Sequence, residues 1–170
     1  MPKYYKNFDN KTAIITGGAG GLGAGIAKIL AEQGANISLI DIDSERLKIT
    51  SNEISRYGTK ISLFQCDVTN QNDVKDTINL IEEKMGSTDI LVNAAGVIGS
   101  VTFEKPDTSE IKDWDSTYSI NVRGTFIVSE AVAKKMQKRN YGKIINISSH
   151  GGKFPNPDNP AYSASKAAVI

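Results

Sequence analysis

The stretch that most constrains the fold lies near the N-terminus. Thr12-Ala-Ile-Ile-Thr16 reads as a short buried strand, Gly17-Gly-Ala-Gly-Gly-Leu-Gly23 as a glycine-rich turn, and Ile26-Ala-Lys-Ile-Leu-Ala-Glu-Gln33 as a helix ended by Gly34. Gly18, Gly20 and Gly23 fit G-x-G-x-x-G, while Thr16, Gly17, Gly21 and Gly23 fit T-G-x-x-x-G-x-G, so the turn has two possible registers. Both carry the same physics. Glycines let backbone N–H groups approach a pyrophosphate, and the N-terminus of the following helix favours its negative charge. A glycine turn alone is equally a device for tight chain reversal, so its surroundings have to decide.

The next strand, Asn36-Ile-Ser-Leu-Ile40, ends in Asp41, 18 residues beyond Gly23 and near the spacing of a ribose-binding acid. A carboxylate there can accept both hydroxyls of an adenosine ribose and repels a 2′-phosphate. No Arg or Lys stands in the glycine loop or directly after Asp41. These features favour NAD over NADP. The competing reading, that Asp41 or Asp43 only caps the helix starting near Ser44, is compatible, because neighbouring acids can divide the two tasks.

The pattern continues as an alternation. Strands are expected near 12–16, 36–41, 60–66, 88–93 and 142–148, and helices near 22–33, 44–57, 71–85 and 112–138. Such a series predicts an α/β fold, a parallel sheet with helices on both faces and right-handed crossovers. Two irregular loops, 99–109 and 151–160, follow strand C-termini, where doubly wound sheets bind ligands, and are the expected rims of a substrate pocket.

Near the C-terminus, Tyr162-Ser-Ala-Ser-Lys166 follows Ser149 by 13 residues. On a helix, Tyr162 and Lys166 share one face, which sets an ammonium beside a phenol. A neighbouring positive charge favours the phenolate, so such a pair can move a proton near neutral pH. Tyr and Lys four apart also occur on ordinary solvated helices, and the pair gains meaning only with the rest of the chain.

Taken together, Thr16-Gly-Gly-Ala-Gly-Gly-Leu-Gly23, Asn93-Ala-Ala-Gly96, Ile120-Asn121, Asn146-Ile-Ser-Ser149 and Tyr162-Ser-Ala-Ser-Lys166 resemble the short-chain dehydrogenase/reductase family in order and spacing, over nearly the whole chain. The resemblance implies a Rossmann-like doubly wound sheet and an NAD-dependent oxidoreductase that interconverts a secondary alcohol and a ketone by hydride transfer. It implies Tyr162 as general acid/base, Ser149 as the residue holding the carbonyl oxygen, Lys166 as the cation beside the tyrosine and on the nicotinamide ribose, and Asn121 as support for a water-mediated proton path. Cofactor contacts are implied for Gly17, Gly20, Gly21, Leu22 and Gly23, for Asp41, for Asp67 and Val68 at the adenine, for Asn93, Ala94 and Gly96 after the fourth strand, and for Tyr162 and Lys166. Ser148 competes with Ser149, but only Ser149 has the family spacing to Tyr162. Trp114 reads as packing, and His150, the single histidine, as a polar wall residue.

Two other readings stay open. One is an enzyme resembling 3-oxoacyl-carrier-protein reductases, which usually favour NADP and carry a basic residue in the glycine loop where this chain has Gly20. The other is a non-catalytic dinucleotide-binding fragment.

Composition excludes some classes and is silent on others. At 170 residues the chain has the length of a single domain, 1–170, and is large enough to bury a core. A net charge of +1 and the absence of a basic run interleaved with aromatics give no reason to expect a nucleic-acid partner. The one cysteine, Cys66, precludes an internal disulfide and reads as a small buried hydrophobe, and there is no metal-ligand constellation. No apolar run resembles a signal peptide or a membrane span, so a cytoplasmic enzyme with a small-molecule substrate and no membrane partner is expected.

Relative to the family, the chain stops only four residues after Lys166. The expectation is therefore a C-terminally incomplete sheet whose strand near 142–148 is an edge with exposed apolar surface, and a homo-oligomer weakened by a shortened interface helix.

Overall fold

The structure, a computed structural model, describes residues 7–99 and 111–170. The expected loop at 99–109 therefore lies, from residue 100 onward, outside the described residues.

Five parallel strands form one sheet: β1 (Thr12–Thr16), β2 (Asn36–Asp41), β3 (Ile61–Gln65), β4 (Ile90–Asn93) and β5 (Lys143–Asn146), in the spatial order β3-β2-β1-β4-β5. The order reverses between β1 and β4, which opens a crevice at the C-terminal ends of those strands. Helices α1 (Gly21–Glu32), α2 (Ser44–Ile54), α3 (Gln71–Met85), α4 (Ile111–Tyr118), α5 (Thr125–Lys138) and α6 (Pro160–Val169) complete the alternation. This is the Rossmann-like doubly wound architecture.

β1 is buried along its whole length because both faces of the sheet are covered. Ala13 and Ile15 pack with Ala27, Ala31 and Leu47 on the α1/α2 side. Ile14 packs with Ile78, Val128 and Val132 on the α3/α5 side. The helix ends follow from local chemistry. Asp43 caps α2 by accepting from Arg46 N at 3.0 Å, Asn70 caps α3, and Asn159 caps α6 just ahead of Pro160 at its first position. The two acids at the end of β2 thus divide the work: Asp43 is the cap and Asp41 is not.

Two expectations need correction. The single helix expected over 112–138 is α4 and α5 joined by a π-helical turn, Ser119–Gly124, whose wider winding surrounds Asn121. Gly124 in that turn sits against Val68, where a Cβ would come within 2.7 Å of a Val68 methyl. Such turns recur at functional sites because they re-aim a side chain without ending the helix. The helix expected over 44–57 ends at Ile54 and tightens into a 3₁₀ turn, Ser55–Tyr57, closed by Gly58 at φ +73°. β5 is an edge strand as expected, with Ile144 37% and Ile145 43% exposed.

Candidate active site

The crevice between β1 and β4 is a continuous cleft of about 760 Å³. One end is walled by Asp41, Ile42 and Arg46, the middle by the glycine loop, Asp67, Val68 and the Ala94–Gly96 turn, and the far end by Ser148, Tyr162 and Lys166.

Glycine is required in the loop for two different reasons. Gly17 adopts φ +68°, and a Cβ there would stand 2.8 Å from Ala95 N and 2.9 Å from the Ala94 carbonyl, so the turns after β1 and β4 touch. Gly23 lies against the Gly17 carbonyl, which a Cβ would overlap, and this close approach seats α1 on the sheet. Thr16 Oγ1 fastens the two turns by accepting from Ala94 N at 3.2 Å and Ala95 N at 3.1 Å. The first turn of α1 contains no acidic residue, so its N-terminal field is left uncompensated at the cleft. Asp41 is fixed at the tip of β2: Oδ2 accepts from Ala19 N at 3.0 Å and Oδ1 from Asp43 N at 3.1 Å.

At the far end α6 carries Tyr162 and Lys166 on one face, with Lys166 Nζ 5.8 Å from the Tyr162 ring centroid. Nζ donates to Ile147 O at 2.9 Å, and Lys166 is only 6% exposed. Burial pushes its pKa below the ordinary lysine value. Gly96, Asn121 and Lys166 converge: a Cβ on Gly96 would stand 3.1 Å from Asn121 Oδ1 and 3.4 Å from Lys166 Nζ. Ser149 Oγ accepts from Gly151 N at 3.2 Å, and a Cβ on Gly151 would stand 3.7 Å from both Ser149 Oγ and the Tyr162 ring. Ser148 differs in role, because its hydroxyl donates to Lys166 O at 2.6 Å and ties β5's exit to α6.

Not every residue singled out in the sequence faces the cleft. Gly17, Gly20, Gly21, Leu22, Gly23, Asp41, Asp67, Val68, Ala94, Gly96, Tyr162 and Lys166 line it, Ser149 stands at its far end near the Tyr162 ring, and Asn93 and Asn121 are set back behind the wall. Asn93 lies two residues after Leu91 and so points to the α5 side, where Nδ2 donates to Ser129 Oγ at 2.8 Å and Asn146 Oδ1 at 2.9 Å. It braces β4, β5 and α5 behind the wall. Asn121, 1% exposed, spends its side chain on Val97 N, Val97 O and Ser165 Oγ, at 2.8, 2.9 and 2.9 Å. Ser165, absent from the sequence reading, in turn donates to Tyr162 O at 2.7 Å, so Asn121 positions the catalytic-pattern helix. His150 stacks on Phe154, centroids 4.7 Å apart, and Trp114 stacks on Tyr118. Cys66 is buried, which pushes its thiol pKa up. Among the described residues no His, Cys, Asp or Glu group of three or more could hold a metal ion, and no helix is long and apolar enough to cross a membrane.

Arg46 escaped the sequence reading altogether. No base follows Asp41 directly, yet α2 brings Arg46 back over Gly20, 26 residues earlier in the chain. Its place three residues after the helix cap Asp43 carries no sequence signal of this, because the approach to Gly20 depends on how α2 packs beside the glycine loop.

A family model described as short chain dehydrogenase matches residues 11–170. The chain belongs to the short-chain dehydrogenase/reductase family. Among curated relatives, the 2,3-dihydro-2,3-dihydroxybenzoate dehydrogenase of Bacillus subtilis (strain 168) is 34% identical over 97% of this chain and 62% of its own length. The D-threitol dehydrogenase of Mycolicibacterium smegmatis is 35% identical over 95% of this chain and 61% of its own length. The solved structure of an NAD+-bound xylitol dehydrogenase superimposes with a TM-score of 0.91 at 32% identity, covering 96% of this chain and 62% of that one. This short-chain dehydrogenase/reductase chain thus spans about three fifths of the length of the relatives it matches.

Lys166 gives a first testable expectation. Because its proton is held more weakly in the folded chain than in the unfolded one, the unfolded state binds more protons between the lowered folded pKa and the ordinary lysine value of about 10.4. The cost of burying the ammonium is therefore present at neutral pH and is relieved as pH rises through that window. Lys166→Met removes the titrating group. Urea denaturation from pH 7 upward should show wild-type stability gaining on that of Lys166→Met, and parallel pH profiles would contradict it.

Proposed function

We propose that this chain carries the dinucleotide site and the proton-transfer residues of an NAD-dependent oxidoreductase that interconverts a secondary alcohol and a ketone. The observation that carries the reading is one cleft with a glycine cradle and a fixed carboxylate at one end and the Tyr162–Lys166 pair at the other. The residues present fit a dinucleotide. Gly17 and Gly23 let the loop fold tightly against the Ala94–Ala95 turn and seat α1, the open N-terminus of α1 suits a pyrophosphate, and Asp41 suits the two hydroxyls of an unphosphorylated ribose.

When bound, the nicotinamide gives or takes the hydride. The side chains manage the proton and the oxygen. In the reducing direction Tyr162 donates its phenolic proton to the carbonyl oxygen, and in the oxidising direction the phenolate removes the hydroxyl proton. The Lys166 ammonium, held near the ring by Ile147 O, stabilises the phenolate. Ser149 donates its hydroxyl to the substrate oxygen and so orients it. Asn121 acts at one remove, fixing Val97 on the cleft wall and Ser165 on α6.

The test is a fluorescence titration with NADH and NADPH, followed by a panel of secondary alcohols with NAD+ read at the NADH absorbance. NADH binding tighter than NADPH binding, with turnover of at least one alcohol, is the expected result. Absence of dinucleotide binding, or binding without turnover across alcohols and ketones of varied size, contradicts the proposal.

A further inference from the structure

Asn159 caps α6, but its side chain does more than return to its own helix. Oδ1 accepts from Tyr162 N at 3.1 Å, while Nδ2 donates to Ile98 O at 2.8 Å, 61 residues earlier in the chain. The asparagine that caps α3 behaves differently: Asn70 is exposed, and its Nδ2 turns to Asp73 Oδ2, three residues on in the same helix. Asn159 is only 7% exposed, and Ile98 lies on the cleft wall. The residue before it on that wall, Val97, is gripped at both N and O by Asn121. Asn121 Nδ2 also reaches Ser165 Oγ, which closes on Tyr162 O. The backbone N–H and C=O of Tyr162 are therefore tied, through two buried asparagines, to adjacent residues of one wall.

Among the residues that cap helices well, only asparagine offers an amide acceptor and an amide donor on separate arms. Aspartate and serine also accept from a helix N–H, but an ionised aspartate has no donor for Ile98 O and serine has a single short arm. We infer that Asn159 is a positioning residue, which sets the Tyr162 phenol relative to the Val97–Ile98 wall by closing a hydrogen-bonded frame with Asn121 and Ser165. This rests on the proton-transfer reading above, which gives the frame its purpose: a substrate held against that wall meets the tyrosine at a fixed distance.

The test compares wild type with Asn159→Ser and Asn159→Asp, each checked for folding by circular dichroism. Amide hydrogen exchange is read by NMR at Tyr162 and at Val97, whose N–H goes to Asn121 and not to Asn159. Asn159→Ser keeps the cap and loses the bond to Ile98. Exchange at Tyr162 should stay close to wild type while exchange at Val97 rises about fivefold, the worth of one hydrogen bond. Turnover should show a split, kcat falling about tenfold or more, as misplacement of a reacting group does, with KM and NADH affinity little changed. A residue that only caps α6 would be rescued by serine in both respects, so unchanged exchange at Val97 or unchanged kcat in Asn159→Ser overturns the inference. If Asn159→Ser does not fold, Asn159→Asp carries the test. Relative to wild type at the same pH, exchange at Val97 should be fast while the new carboxyl is ionised and slow again once protonation gives it a donor, and exchange equal to wild type at every pH overturns it. Failure of the dehydrogenase reading is separately visible, because wild type would then turn over no alcohol or ketone while the exchange pattern still decides the frame.

Discussion

Tyr162→Phe is expected to lower turnover by about two to four orders of magnitude, the usual worth of a positioned general acid/base, while lowering NADH affinity far less. The substitution removes one oxygen and keeps the ring. The helix is held by contacts that do not involve that oxygen: Asn159 Oδ1 accepts Tyr162 N at 3.1 Å, Ser165 Oγ donates to Tyr162 O, and Ser148 Oγ donates to Lys166 O. Lys166 Nζ keeps its bond to Ile147 O in the variant, so the ammonium stays in the cleft without a phenol to serve. The discriminating measurement is single-turnover kinetics beside a binding titration. A variant that still turns over at the wild-type rate would take the proton-transfer role away from Tyr162. One that loses binding as steeply as turnover would make the residue part of the cradle instead.

Gly23→Ala is expected to have the largest effect of any single methyl group in the glycine loop. Its Cβ would overlap the Gly17 carbonyl oxygen and stand 2.8 Å from the carbonyl carbon, and both partners are backbone. A flexible side chain could swing aside, but here the loop itself must move, and Gly17 is already pressed against Ala94 and Ala95. Overpacking of this kind costs about 1–3 kcal/mol, and each kcal/mol lowers Tm by about 2–4 °C in a chain of this size. Dinucleotide binding should fall with it, since the displaced atoms are those of the cradle. Gly25→Ala is the control two residues on. Nothing lies within 4 Å of a Cβ there, and the position is exposed in the interior of α1. That change should stabilise by about 0.5–1 kcal/mol, the ordinary helical advantage of alanine over glycine. Equal Tm values for the two variants would contradict the packing argument.

Much of this fold is legible in the chain because its signals are local. The β1 run, the glycine turn and α1 are adjacent in sequence, so apolar runs and turn residues locate them to within a residue or two of the observed bounds. The pairing of Tyr162 with Lys166 is legible for the same reason, since helical geometry alone puts positions four apart on one face. The π-helical turn at Ser119–Gly124 leaves no such trace. Its residues suit an ordinary helix, and the contacts that Asn121 and Gly124 make from it, with Val97, Ser165 and Val68, reach residues 24 or more positions away.

Asn93 and Arg46 show the same limit from opposite sides. Asn93 stands in a motif that points to a cofactor, yet strand alternation turns its side chain to the α5 side, where it joins Ser129 and Asn146. Arg46 stands in no motif, yet the packing of α2 beside the glycine loop delivers its guanidinium to the cleft.

The order of the elements, the glycine cradle and the Tyr162–Lys166 pair are legible because each depends on residues close together along the chain, and the alternation of strand and helix signals implies the parallel sheet. Packing of the elements settles which of those residues face one another. It set Asp41 in a frame of backbone donors, brought Arg46 over Gly20, and made Asn121 the brace between Val97 and α6. Those are juxtapositions across the switch point of the sheet, and they exist only once β1, β2 and β4 are packed with the helices that cross them.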